Sequence, residues 1–132
     1  MSDQLPRHVL TILAVSDLQA AADFYSRSFR WPISVETPVY VEFSLPDNMR
    51  LGLYQRHGFA KNTGVVPNEV PVGSTSSTEL YFYVDDVVAV LQTVTAAGAR
   101  VLSLPLIRPW GDFAAYVTDP DGNVVVLAST SL

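Results

Sequence analysis

The 132-residue chain contains no cysteine, which excludes disulfides, thiolate metal sites and cysteine nucleophiles together and says little about compartment. Histidine is nearly as scarce, with two. His57 begins a loop-like stretch with no recognisable partner and reads as a solvated side chain, as does His8 near the N-terminus. Basic charge is also short. A formal net charge of -5 argues against a nucleic-acid footprint and leaves no basic amphipathic stretch for a membrane surface. No apolar run approaches the roughly 18 residues needed to span a bilayer, and the first residues lack the charged-then-apolar order of a secretory leader. A soluble cytoplasmic protein is the expectation. No glycine-rich phosphate loop is written either: Gly52, Gly58, Gly64 and Gly73 are scattered, and none opens a helix after a strand. A Ser-His-Asp arrangement has no motif behind it. The Ser-Thr cluster at 74–78 reads as a hinge.

Charged residues make up only 16% of the chain against 48% apolar ones, so an ordered chain is expected, and with it an apolar interface, hence a homodimer. The length is that of one compact domain with a core of its own. The clearest pattern lies at 113–127, FAAYVTDPDGNVVVL, where two apolar, β-branched runs flank Asp119-Pro120-Asp121-Gly122, as in two antiparallel strands joined by a tight turn. Pro120 presets φ at the start of the turn, and Gly122 can take a positive φ near its end. A weaker copy stands at 39–54, with Pro46-Asp47-Asn48 in the turn. Superposing Pro120 on Pro46 gives an offset of 74 residues, pairing Phe43 with Val117 and Leu51 with Val125. The chain is duplicated.

Residues 8–15 form a short β-rich run, and Ser16-Asp17 then offer a cap for a helix whose apolar face carries Leu18, Ala21, Ala22, Tyr25 and Phe29. Trp31-Pro32 ends that helix, 33–36 is a short strand, and the first hairpin follows. Residues 56–77 are rich in Gly, Asn, Pro, Ser and Thr, and read as a linker or an excursion laid over a binding face. The order then repeats: a strand at 79–84, a helix capped by Asp85-Asp86 and closed by Gly98, a strand at 100–104, a Pro-Trp-Gly loop and the second hairpin. The first strands align at an offset of 69, so five extra residues fall in the 104–113 loop. The expected fold is a single α+β domain over 1–132, with one βαβββ module at about 7–55, the linker at about 56–77 and a second module at about 78–130.

These pieces, LAVSDLQAAADFYSRSF, LYFYVDDVVAVLQTVTAAGA and PWGDFAAYVTDPDGNVVVL in that order, resemble the glyoxalase, bleomycin-resistance and extradiol-dioxygenase superfamily, also called vicinal oxygen chelate proteins, over nearly the full length. The resemblance implies two modules that curl a mixed sheet around a central pocket with helices outside, paired within one chain or across a swapped dimer. Metal-dependent members place a His, Glu or Gln on the first and last strand of each module. Carried over, those positions are Leu10, Gly52, Glu79 and Val126. Three of the four lack a donor atom, whereas a catalytic divalent ion needs at least three protein ligands. Neither a metal nor any other cofactor is therefore expected, and glyoxalase-type isomerisation and ring-cleaving oxygen chemistry are put in doubt. A slipped register would bring His8 beside Glu79 without repairing Gly52 or Val126.

Glu79 is then the candidate catalytic residue, able to move a proton or to hold a cationic or hydroxyl-bearing ligand. The plainer reading leaves it in solvent at the strand end or paired with Arg50. Tyr81 and Tyr83 share its strand face, and Tyr54 shares that of Gly52. Trp110 lies in the longer loop, where binding members of the superfamily place an aromatic lid. The candidate ligand-binding set is thus Arg50, Tyr54, Glu79, Tyr81, Tyr83 and Trp110, against ordinary core filling for the tyrosines and core or dimer-seam docking for Trp110. Two functions stay open. One is a metal-free binding protein for an apolar, aromatic or cationic small molecule. The other is a metal-independent lyase or isomerase in which Glu79 transfers a proton while Tyr81 or Arg108 stabilises the developing anion.

Overall fold

The computed structural model describes residues 4–130. Its elements are β1 (Leu10–Val15), α1 (Leu18–Phe29), β2 (Ile33–Glu36), β3 (Tyr40–Ser44), β4 (Arg50–Gln55), α2 (Arg56–Thr63), β5 (Glu79–Tyr83), α3 (Val87–Ala96), β6 (Arg100–Ile107), β7 (Phe113–Thr118) and β8 (Val124–Ser129). The strands make two open four-stranded sheets, ordered β1-β4-β3-β2 and β5-β8-β7-β6. In each, one pair is parallel and the others are antiparallel. The fold is α+β, as expected from the duplication. No helix among the described residues is long and apolar enough to cross a membrane.

The strand ladders carry both offsets. Phe43 lies opposite Leu51 as Val117 lies opposite Val125, and 117 minus 43 is 74. Leu10 lies opposite Arg50 as Glu79 lies opposite Val124, and 79 minus 10 is 69. Gly122 takes φ 81° in the second hairpin. In the first, Asp47 and Asn48 adopt φ 62° and 61° without being glycine, a conformation that short polar side chains tolerate.

Contacts divide the chain into two compact units, one reaching up to Leu18 and including Trp31–Pro67, the other comprising Gln19–Arg30 and the chain from Asn68 onward. Helix α1 therefore belongs to the second unit, although its sequence lies within the first repeat. In the first unit Leu13, Val15, Val41, Phe43, Leu51 and Leu53 are buried, and Trp31 packs 6.3 Å from Phe43, ring centre to ring centre. The buried guanidinium of Arg56 donates to Ser16 Oγ at 2.6 Å and to the Pro67 carbonyl at 3.1 Å, tying the end of β1 to the far end of this unit.

In the second unit Phe24 and Tyr25 of α1 and Val87 and Val94 of α3 are buried along with Ala115, Val117, Val125 and Leu127. Phe29 reaches Phe82 at 5.3 Å. The hairpin turn is organised by Asp119. Its Oδ1 accepts the backbone N–H groups of Asp121 and Asn123, both at 2.9 Å, while Oδ2 accepts the Tyr25 hydroxyl at 2.7 Å and the Asn123 amide at 3.0 Å.

Two boundaries differ from the sequence reading. The segment read as a linker at 56–77 opens with α2, a helix capped unusually by Gln55, whose side chain accepts the N–H groups of His57 and Gly58. Gly64 ends it at φ 80°. Glutamine is outside the usual capping set and Gly58 lowers helix propensity, so the pattern was hidden. The five extra residues of the second repeat do not all form a loop, because β6 runs on to Ile107 through two register shifts. As the edge strand it accommodates Pro105 without losing a needed ladder bond.

Candidate functional site

In the second unit, alternation along the strands puts Glu79, Tyr81 and Tyr83 of β5, Tyr116 of β7 and Val124, Val126 and Ala128 of β8 on the face opposite Phe82 and Leu127. Ala114, Val126 and Ala128 are sealed from solvent there, with Tyr116 and Val124 packed on them. Three of the expected ligand-binding residues come together around an acid that the sequence reading passed over. Tyr81 donates its hydroxyl to Asp112 Oδ2 at 2.6 Å, Tyr83 donates to the same oxygen at 3.1 Å, and the Trp110 indole N–H donates to the Tyr81 oxygen at 2.8 Å. The two tyrosine rings meet edge to face at 5.9 Å.

Asp112 is buried, at 8% exposure, yet its Oδ1 has no hydrogen-bond partner among the described residues. The Arg108 guanidinium stands 4.9 Å over the Tyr116 ring and donates to the Ala114 carbonyl at 2.8 and 3.1 Å. These bonds tether it to the β7 backbone. Burial, and then the bond to Asp112, pushes the Tyr81 hydroxyl above its ordinary pKa, with Trp110 opposing. The bond to Asp112 raises Tyr83, and burial followed by the nearby Glu79 charge raises Tyr116. All three phenols therefore stay protonated at neutral pH. Glu79 itself is exposed at the start of β5. The result is an aromatic wall with a carboxylate oxygen to spare, which suits a planar or cationic molecule.

The first unit presents Leu10, Ile12 and Ala14 of β1, Tyr40 and Glu42 of β3 and Arg50, Gly52 and Tyr54 of β4 on one face. Glu42 is buried there. It accepts the Tyr40 hydroxyl at 2.6 Å and Arg50 Nη1 at 3.3 Å, so Arg50 has an acidic partner, Glu42, within its own unit. Ser34 Oγ donates to the Glu42 carbonyl at 3.2 Å. Burial and then the bond to Glu42 raise the Tyr40 pKa. The Tyr40 ring rests 5.1 Å from that of Tyr54 and lies directly over Gly52, where an added Cβ would stand 2.8 Å from Tyr40 Cε1. Gly58 of α2 makes the same kind of room for the Tyr54 ring, whose Cε1 would stand 2.5 Å from an added Cβ.

These placements test the superfamily's metal site against the residues present. Leu10 and Gly52 fall on adjoining strands of the first sheet, and Glu79 and Val126 on adjoining strands of the second. The space a ligand would need at Gly52 is filled by Tyr40, and Val126 is closed into an apolar cluster. Among the described residues no group of three or more His, Asp or Glu side chains could hold an ion. The donor set does not fit the metal centre. Of the histidines, the His8 ring meets the Thr11 hydroxyl at 2.9 Å, and His57 is exposed on α2.

Sequence signals for the overlooked acids did exist. Glu42 is the only charged residue in the strand YVEFS, two positions from Tyr40 and so on its face. Asp112 directly precedes β7 in the Trp-Gly-Asp sequence, with apolar strand on its C-terminal side.

Comparison with known proteins agrees with this architecture. The chain is similar to a glyoxalase-related enzyme from Fulvimarina pelagi, with 24% identity and a TM-score of 0.82 over 95% of this chain and 88% of that one. It is also similar to a glyoxalase/bleomycin resistance protein/dioxygenase from Nocardioides, with 23% identity and a TM-score of 0.77 over 97% and 85%. A third likeness is to a glyoxalase/bleomycin resistance protein/dioxygenase family enzyme from Burkholderia phytofirmans, with 20% identity and a TM-score of 0.78 over 92% and 96%. No curated protein matches the chain. Residues 8–131 match the glyoxalase-like domain along almost the entire sequence, and the chain belongs to that family.

Proposed function

We propose that this protein binds a small aromatic or cationic molecule without a metal ion, on the face of the second sheet. The observation that carries the reading is the convergence of Tyr81, Tyr83 and Trp110 on Asp112, a buried carboxylate with one oxygen left uncommitted. Aromatic faces attract a desolvated cation, and a carboxylate at the edge of such a wall adds charge complementarity. Benzyltrimethylammonium, with benzyl alcohol as the neutral control, tests the reading by thermal shift and calorimetry. The cation is expected to raise the melting temperature and the alcohol to leave it nearly unchanged. Trp110→Ala should weaken binding by about tenfold or more, and Asp112→Asn should remove the preference for the cation. Equal response to both compounds, or to neither, would refute it.

A second reading, a metal-independent lyase or isomerase, draws support from the charge of Glu79 acting on Tyr116. It requires Glu79→Gln to abolish turnover while leaving affinity intact. Self-association belongs to the first reading and is supported by edge strand β6, on which Leu104, Leu106 and Ile107 are 68%, 57% and 56% exposed. An uncovered apolar edge is a pairing surface. Sedimentation should give a homodimer that Leu104→Lys with Leu106→Lys converts to monomer. A monomeric parent protein would end this part of the proposal.

A further inference from the structure

The polar cluster on the first sheet has more donors than its own acceptor uses. Glu42 is engaged on both oxygens, one accepting from Tyr40 and the other from Arg50 with Ser34 alongside. Arg50 contributes one long bond of 3.3 Å from Nη1, and its Nε and Nη2 find no acceptor among the described residues. Its side chain is 43% exposed. The Tyr54 hydroxyl likewise has no hydrogen-bond partner among the described residues. Both side chains rise from one face of β4, on either side of Gly52, with the Tyr40 ring laid over the glycine between them.

A buried carboxylate that grips one corner of a guanidinium restricts its orientation while leaving the rest of the planar fork to face outward. That fork matches two oxygens of a carboxylate or phosphate, a geometry that lysine cannot reproduce. The neighbouring ring pair offers an apolar surface for whatever carries the anion.

We propose that Arg50, held by Glu42 and with the Tyr40 and then the Tyr54 ring beyond it along β4, is a recognition point for a small aromatic oxyanion bearing a carboxylate or phosphate. This point lies within the first unit and does not depend on the cation site of the second, so either can fail alone.

Benzoate, phenyl phosphate and benzyl alcohol would be titrated into the ¹⁵N-labelled protein while backbone amide shifts are followed. Saturable shifts at residues 50–54 are expected with the anions and not with the alcohol. A response to benzoate alone assigns a carboxylate, a response to phenyl phosphate alone assigns a phosphate ester, and a response to both assigns an oxyanion in general. Arg50→Met should abolish the response. Arg50→Lys, which keeps the charge and the ion pair, should weaken it by about tenfold through loss of the second hydrogen bond. Tyr54→Phe should weaken it by a smaller factor. No shift with either anion, equal shifts with the alcohol, or unchanged affinity in Arg50→Lys would each overturn the assignment.

Discussion

Asp119→Ala is expected to destabilise the protein by about 4 kcal/mol or more, since a buried donor left without its acceptor costs about 1 to 3 kcal/mol and this substitution strips four. The donors are the Tyr25 hydroxyl, the Asn123 amide and two backbone N–H groups in the hairpin turn. The loss should appear in urea denaturation, and as a fall of about 10 °C or more in melting temperature for a chain of this size. Asp119→Asn, which keeps one oxygen, should lose less. An Asp119→Ala protein within about 1 kcal/mol of the parent would show that the turn holds without this carboxylate.

The same contact makes a pH prediction. Burial, and then the Asp119 charge, raises the Tyr25 pKa well above its ordinary value. The folded state therefore holds this proton more tightly than the unfolded state, whose tyrosine titrates near about 10. The resulting stabilisation is complete below about pH 10 and disappears as pH climbs from there through the folded value. Stability should fall with alkali in the parent protein, and Tyr25→Phe should flatten that slope at the expense of a lower plateau. An equally steep slope in Tyr25→Phe would assign the alkaline loss to other groups.

Gly52→Ala is the second large effect expected. The new methyl group would press into the Tyr40 ring, and overpacking of this kind typically costs about 1 to 3 kcal/mol. Tyr40→Ala in the same chain removes the obstacle, so the pair should be strongly non-additive, with a coupling above about 1 kcal/mol in a double-mutant cycle. Additive losses would mean that the ring moves aside freely. For the same reason Gly52→His should destabilise the protein without creating metal affinity, because the imidazole would compete with Tyr40 for a single space.

Periodicity and turn chemistry made the fold legible. The offsets of 74 and 69 could be read because each strand pair alternates around a recognisable turn, and a one-residue slip would have put Phe43 or Val117 on the wrong face. Tyr81, Tyr83 and Trp110 could be singled out for the same reason. Their common acceptor could not, because Asp112 lies in a loop where no period constrains its direction. Glu42 was concealed by its surroundings: an acid in an apolar strand reads as an outward-facing residue until Tyr40 and Arg50 are seen to enclose it. Helix α2 escaped notice because its signals are inverted, with a glutamine cap in front and a glycine inside that accommodates Tyr54.

The assignment of α1 to the second unit bears on how such a chain could have arisen and how it can be taken apart. A duplicated gene suggests two interchangeable halves, each sufficient to itself. Here the polypeptide lends its first helix forward, so a cut between the two repeats would deprive the later half of Phe24, Tyr25 and Phe29, including the partner of its own hairpin turn. Separating the repeats would therefore mean supplying that helix to the later half from elsewhere.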